Sequence, residues 1–352
     1  MRPAKLMIVD PRHGLRHIAR TRLVDVLLAG DLVIANDAAT MPASLHGIHA
    51  RTGETIEVRL AGRSSLSRDV ADFSAVVFGA GDFHTRTEDR PLPPILTPGD
   101  TLALGPLSAT VTAVLGHARL ISLHFDGSSD QIWSGIASHG RPVQYAHAPM
   151  PLALWDVWTR IASLPVAFEP PSASFALDWQ MIAAMRARDI GFATITHAAG
   201  ISSTGDVELD RRLPLDEPYD ISPSTARAIA RTRSAGGRIV AIGTTVVRAL
   251  EHAAMRDGVV HPGDGVATQR IGPGTRLRVV HAILTGVHER GTSHFELLCA
   301  FADDLTLMAA DEEMAAHGYR QHEFGDSVLV IPALGVRDEG KIRRSCRTRL
   351  NS

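Results

Sequence analysis

From Leu23 to Leu28 apolar residues recur at helical spacing, and the chain then turns at Gly30-Asp31 into the unbroken apolar run Leu32-Val33-Ile34-Ala35, which ends on Asn36-Asp37. This pattern predicts a helix, a turn, a buried strand and a polar pair at the strand's carboxyl end. Between about Ser44 and Tyr145 the texture changes. Short β-type runs at Thr55 to Leu60, Ala75 to Phe78, Thr101 to Leu104, Ala109 to Leu115 and Ala118 to Phe125 are separated by Gly, Pro and Asp turns, a spacing that predicts a barrel or sandwich.

After Pro151 helix and strand patterns alternate. Helices are predicted from the cap Asp178 to Arg188, over Ser222 to Ser234, Thr244 to Met255 and His294 to Ala302. Strands are predicted at Phe192 to Thr196, Arg238 to Ile242, Ala282 to Leu284 and Ser327 to Ile331. This alternation implies an α/β sheet covered by helices. The run at Leu32 to Ala35 matches its strands, so the expected architecture is a three-layer α/β domain, residues 1–48 and 146–335, interrupted by a small inserted β-barrel domain at 49–145. The remaining 336–352 reads as a basic tail, with six Lys or Arg against two Asp or Glu between Arg337 and Ser352.

A chain of 352 residues with 45% hydrophobic positions is long enough for two domains with a sizeable core. Its formal net charge of −2 removes the simplest argument for a nucleic-acid protein. Cys299 and Cys346 lack metal-ligand or CxxC spacing, so neither a zinc site nor a disulfide framework is expected, and a reducing compartment fits. No apolar h-region opens the chain and no run approaches a membrane span, so the expected location is the cytoplasm, with no membrane partner.

The strongest local signal runs from Gly236 through Gly243-Thr244-Thr245 to Glu251: a buried strand delivers Gly243 to its carboxyl end, and Thr244 or Thr245 then caps a helix whose free N–H groups favour an anion. A tight strand-to-helix turn with a Thr cap and no ligand explains the pattern equally well. Asn36-Asp37 offers an acid at a similar strand end, as a base or a ribose ligand, or else an Asx turn. His197 and His288 follow the strands at Phe192 to Thr196 and Ala282 to Leu284, where an imidazole can move protons near neutral pH or bond a ribose or phosphate; most of the seventeen His must be ordinary. Glu217, Tyr219 and Asp220 lie in a Pro-punctuated segment read as a loop, in which Glu217 lines a site or is simply solvated. Gly325-Asp326 reads as a turn.

Together these segments resemble the S-adenosylmethionine:tRNA ribosyltransferase-isomerases of queuosine synthesis. Asn36 to Gly47 is similar to the family's N-D-T-R-V-I-P-A-R-L-x-G, Gly236 to Glu251 to G-G-R-V-x-A-V-G-T-T-S-x-R-x-L-E, and Thr285 to Phe301 to T-N-F-H-L-P-x-S-T-L-L-M-L-V-S-A-F. Glu217-Pro218-Tyr219 resembles E-W-Y, and Phe324-Gly325-Asp326 resembles Y-G-D. Departures occur at Ala39 and Ser44, each in place of Arg, at Ala176 in place of the His of P-T-A-G-L-H-F, and at Gly286 and Val287; His294 and Glu296 enter an otherwise apolar helix. The resemblance implies transfer and isomerisation of the ribosyl moiety of S-adenosylmethionine onto 7-aminomethyl-7-deazaguanine in tRNA, giving epoxyqueuosine, and implies no metal; a monomer is a separate expectation. The resemblance also implies His197, His288, Asp37 and Glu217 as catalytic candidates, and Asn36, Tyr219, Gly243, Thr244 and Thr245 as binders of S-adenosylmethionine. A relative that binds S-adenosylmethionine or a nucleoside with altered chemistry, and a noncatalytic RNA binder using Arg59, Arg63, Arg68, Arg86, Arg90 and the tail on phosphates, stand as alternatives.

Overall fold

The structure, a computed structural model, describes residues 3–322 and 324–332, so the basic tail expected at 336–352 lies outside the described residues. A hairpin of β1 (Lys5–Asp10) and β2 (Gly14–Ala19) leads through a 3-10 helix at Arg20–Val26 into β3 (Leu32–Asn36) and the short β4 (Ala39–Thr40). Six strands follow: β5 (Ser44–His49), β6 (Thr55–Arg63), β7 (Asp72–Phe78), β8 (Thr101–Leu104), β9 (Leu107–His117) and β10 (Leu120–Phe125). They close into a barrel in the order β10-β7-β6-β5-β8-β9. Then come α1 (Ser129–His139), α2 (Leu154–Val157), β11 (Pro165–Ala167), α3 (Trp179–Arg186), β12 (Gly191–His197), α4 (Val207–Asp210), β13 (Glu217–Ile221), α5 (Pro223–Ser234), β14 (Ile239–Ile242), α6 (Thr244–Ala253), β15 (Gly263–Ala267), β16 (Ala282–Gly286), α7 (Ser293–Leu298), α8 (Asp304–Ala316) and β17 (Ser327–Val330).

A nine-stranded sheet in the order β15-β13-β12-β3-β14-β16-β17-β1-β2 forms the α/β part. Its centre, β12-β3-β14-β16, is parallel, so four carboxyl ends lie side by side. Alternation along each strand sends residues to opposite faces, and both faces are dry. Leu32, Ile34, Ile239 and Ala241 pack with Ala226 and Ile229 of α5 and Val246, Val247 and Leu250 of α6. Val33, Ala35, Val240 and Ile242 pack on the other side with Leu23 and with Met181 and Met185 of α3. These are the three layers that the continuous apolar runs predict.

In the barrel, Ile56, Val58 and Leu60 of β6 face inward with Ala75, Val77 and Leu102. Outside it, Ala61, Val76, Phe78 and Leu120 pack against Ile201, Leu209 and Leu213, which belong to the segments after β12. The barrel therefore sits over the carboxyl end of the central sheet.

Several local expectations change. The helix at Leu23 to Leu28 is a 3-10 helix at Arg20–Val26. Asp178 does cap α3, accepting from Met181 N at 2.7 Å, but α6 has Gly243 at its N-cap and no side-chain cap. Gly243 has φ of 95°, a conformation that a Thr adopts only with strain, so the cap role falls to glycine and both Thr enter the helix. The Pro-punctuated loop around Glu217 is the strand β13, between β12 and β15. Pro218 supplies no N–H, yet its carbonyl accepts from Ala198 N at 2.9 Å. Asp326 is a buried carboxylate, accepting from Lys5 N at 2.7 Å and Arg320 N at 2.8 Å.

Candidate active site

Strand geometry brings four of the singled-out positions together: Asn36, His197, Gly243 and His288 follow or end the adjacent strands β3, β12, β14 and β16. Asn36 is fully buried and acts as a strap. Its Nδ2 donates to the His197 carbonyl at 2.9 Å, while its Oδ1 accepts from His197 N and Ala38 N, both at 3.0 Å. Asp37 is half-buried and accepts from Thr196 Oγ1 at 2.7 Å.

The register of β12 and β13 places His197 opposite Tyr219. Their rings lie parallel, with centroids 6.4 Å apart and planes 4° apart. Tyr219 is turned away from the neighbouring cavity, its hydroxyl bonded to His252 Nδ1 of α6 at 2.9 Å. His197 is 0% exposed and neither ring nitrogen has a hydrogen-bond partner among the described residues, Nε2 standing 3.5 Å from Glu217 Oε2. Burial, aided by the charge of Arg248, pushes its pKa down to about 3, so the ring is neutral at pH 7.

Glu217 is buried, not solvated. Its Oε1 accepts from Gly200 N at 2.6 Å and its Oε2 from Arg248 Nη1. Burial raises its pKa, and Arg248 and the Gly200 N–H oppose that rise. Arg248 lies one helical turn past Thr244 and Thr245, so the three share a face of α6. It is itself buried and held by the carbonyls of Ala267 at 2.8 Å, Leu215 at 3.2 Å and Gln269 at 3.3 Å.

A narrow cavity opens here, lined by Glu217, Thr244, Thr245, Arg248, Arg270 and His294 among others. His294, from α7, stacks on His288 with centroids 4.9 Å apart and planes 14° apart. His288 Nε2 is 2.6 Å from Thr285 Oγ1. Burial, then the charge of Arg248, pushes the pKa of His294 down to about 4; burial, then His294, holds that of His288 well below its ordinary value. A cavity lined by one carboxylate, two guanidiniums, hydroxyls and an imidazole suits a small polar ligand with a cationic centre and a carboxylate.

The residues missed in the sequence are Arg248 and Arg270 as lining groups, while His294, noted as a departure on α7, joins the same lining. Arg248 has a signal: a charged residue between Val246-Val247 and Ala249-Leu250 on a buried helix. The segment carrying Ala176 forms a 3-10 helix, Ser172–Ala176, against β16; Ala176 is buried with Ile242 and Leu284, and the Ala173 methyl would stand 3.4 Å from a Cβ placed on Gly243. Ser44 donates to Glu57 Oε1 at 2.7 Å inside the barrel wall.

The barrel arginines correct the phosphate-binding expectation. Arg59, Arg63 and Arg90 are 2%, 5% and 2% exposed. Arg59 Nε and Arg90 Nη1 donate to Glu57 at 2.7 and 2.5 Å, which outweighs burial and lowers the Glu57 pKa to about 2. Arg63 bonds the Ser67 carbonyl. Only Arg68 and Arg86 of the five reach the surface, and they pair with Asp130 and Glu88.

Among known proteins, residues 2–330 match a family described as "Queuosine biosynthesis protein". The chain is 32% identical to the S-adenosylmethionine:tRNA ribosyltransferase-isomerase of Methylobacterium sp. (strain 4-46), the alignment covering 94% of this chain and 93% of that protein. It is 34% identical to the protein of the same name from Sorangium cellulosum (strain So ce56), over 93% and 92%. Among solved structures it is similar to the S-adenosylmethionine tRNA ribosyltransferase from Thermotoga maritima at 22% identity, over 94% and 93%, with a TM-score of 0.48. No helix among the described residues is long and apolar enough to cross a membrane.

Proposed function

Because the chain belongs to the family of queuosine biosynthesis proteins, we propose that it is an S-adenosylmethionine:tRNA ribosyltransferase-isomerase. The ribosyl moiety of S-adenosylmethionine is transferred to a 7-aminomethyl-7-deazaguanine in tRNA and isomerised to the epoxycyclopentanediol of epoxyqueuosine, with adenine and methionine released, in the cytoplasm. The observation that carries the reading for this site is the cavity at the carboxyl ends of β12, β3 and β14, where Glu217, Arg248, Thr244, Thr245 and His294 converge.

The chemistry needs a group that removes a proton from the carbon beside the sulfonium and one that protonates the departing adenine. Glu217 fills both roles in turn. Its raised pKa makes the carboxylate a better base and keeps the acid form accessible afterwards. Arg248 and Gly200 N fix its two oxygens, and buried His197 backs it from β12 as a positioning residue. Thr244, Thr245 and the free N–H groups at the start of α6 receive the carboxylate of the methionine portion, and the positive φ of Gly243 sets that turn. His294, with His288 behind it, offers a neutral imidazole to the ribose hydroxyls. Asp37 is the second carboxylate at the cleft, available to a ribose hydroxyl; Asn36 and Tyr219 hold His197 in place.

The test is incubation of the protein with tRNA bearing the 7-aminomethyl-7-deazaguanine and with S-adenosylmethionine labelled in the ribose. Label in the tRNA together with one equivalent of free adenine is expected. S-adenosylmethionine binding without either product would reject the reaction and favour altered chemistry.

A further inference from the structure

On the far edge of the large sheet, four strand spacings from β14 or roughly 19 Å, a second cluster of functional groups stands apart from the cleft. We propose that His17, Glu313 and His317 form a binding site for a divalent transition metal. Their ligand atoms all lie within 4.8 Å of one another. Glu313 Oε1 is 3.1 Å from His17 Nε2 and 3.4 Å from His317 Nδ1. In a tetrahedral centre with metal–N and metal–O bonds of about 2.0–2.1 Å, neighbouring ligands are separated by about 3.3 Å, so both edges already have the required length.

The elements explain why the groups meet. Glu313 and His317 are four residues apart at the end of α8, on one face of the helix. His17 comes from β2, the edge strand. The Nδ1 of His17 is bonded to the Tyr319 hydroxyl at 2.9 Å, which leaves Nε2 for the metal; an oxygen on the distal nitrogen is the usual device for orienting a ligating imidazole. His17 and His317 lie against each other with ring centroids 4.1 Å apart. Two imidazoles and one carboxylate select zinc-like borderline metals over calcium or magnesium, and a three-ligand set leaves a position for water. Without metal, His317 Nδ1 also faces the Glu313 carbonyl at 2.9 Å, so ligation must displace a proton and redirect that ring. Lys5, whose ammonium bonds the His317 carbonyl, places a positive charge nearby and moderates the affinity. Bound metal would tie β2 to α8 across nearly the whole chain, pinning the hairpin at the edge of the sheet.

The experiment uses untagged full chain, stripped with a chelator and titrated with Zn²⁺ by calorimetry, with Co²⁺ absorbance as the spectroscopic readout of low-coordinate geometry. We expect one equivalent bound, an affinity at least tenfold weaker in His17→Ala and in Glu313→Gln, and no change in His261→Ala. Thermal midpoints with chelator should match between wild type and variants, establishing that the variants fold, whereas Zn²⁺ should raise only the wild-type midpoint, by about 3 °C or more. Equal affinity and stoichiometry in wild type and His17→Ala, or no saturable binding, would overturn the proposal. Because the cluster is remote from the cleft, ribosyl transfer should survive chelation, and loss of transfer activity leaves this result standing.

Discussion

Replacing Arg248 with Met keeps the bulk of the side chain on α6 and removes its charge and donors. Glu217 then remains 5% exposed with its Gly200 hydrogen bond but no counter-cation. Removing one partner of a buried ion pair costs about 3–5 kcal/mol. Part of that loss is independent of Glu217, since the carbonyls of Ala267, Leu215 and Gln269 lose their donor, which accounts for about 1–2 kcal/mol. The Arg248→Met change made in a Glu217→Gln background should therefore cost only that smaller amount, leaving a coupling energy of about 2–3 kcal/mol. The pH dependence adds a second signature. Glu217 already has a raised folded pKa, and loss of Arg248 raises it further. The native state then holds a proton that the unfolded state has released, so the variant loses stability as pH rises from the ordinary glutamate range through the folded pKa, by about 1.4 kcal/mol for every tenfold gain in the carboxylate's proton affinity on folding. Urea unfolding of the four proteins at pH 5 and pH 8 measures both effects. A single-variant loss below about 1 kcal/mol, or the same loss with and without the Glu217 carboxylate, refutes the reasoning.

Three other outcomes follow from the same geometry. Asn36→Ala removes three buried hydrogen bonds, two between β3 and β12 and one to Ala38 N, and should destabilise by about 2–4 kcal/mol, while lowering kcat more than it raises KM because His197 loses its anchor; an unchanged kcat in the labelled-transfer assay rejects the strap. His197 has a folded pKa pushed down to about 3, so its contribution is complete above the ordinary value near 6.5 and is lost as pH falls below it, by at most about 5 kcal/mol; His197→Phe should flatten the acid limb of stability against pH, and parallel limbs would sink the assignment. Glu57→Gln leaves Arg59 and Arg90 buried beside a neutral amide and should cost about 3–5 kcal/mol by urea unfolding; a loss under about 1 kcal/mol would mean that these arginines reach water.

The central sheet is legible in the sequence because parallel buried strands are written as unbroken apolar runs, and the position at the end of each run is then a position at the cleft. Asn36, His197, Gly243 and His288 are found that way. Glu217 is legible as a candidate but on the wrong element: Pro214 and Pro218 read as loop punctuation, and β13 tolerates Pro218 because its carbonyl carries the local pairing. Arg59 and Arg63 mislead for a different reason. Along Thr55–Arg63 the alternation puts Ile56, Val58 and Leu60 in the barrel and Glu57 and Arg59 on the outside, while a register shift between Leu60 and Gly62 turns Arg63 toward Phe73 and Trp133 of the barrel core. In most antiparallel barrels that outer face meets water. Here it is covered by the rest of the chain, with Arg59 lying 5.5 Å from the Tyr145 ring centre. No local period reveals that cover, because it comes from residues distant in sequence.

The departures from the family pattern acquire a physical sense in this arrangement. Ala176 falls in the packed layer behind Gly243, beside Ile242 and Leu284, where an unpaired imidazole would be costly. Ser44 is a short donor to a carboxylate that Arg59 and Arg90 already neutralise. Ala176 therefore lacks polar reach on the side of β3, β14 and β16 where the Ser172–Ala176 helix packs, and Ser44 spends its hydroxyl within the barrel wall. On the opposite side, His294 adds an imidazole on α7 next to Arg248 and Glu217. The charged and hydrogen-bonding groups Glu217, Arg248 and His294 therefore gather on the α6 and α7 side of the sheet, while the small side chains of Ala173 and Ala176 pack in the layer on the other side.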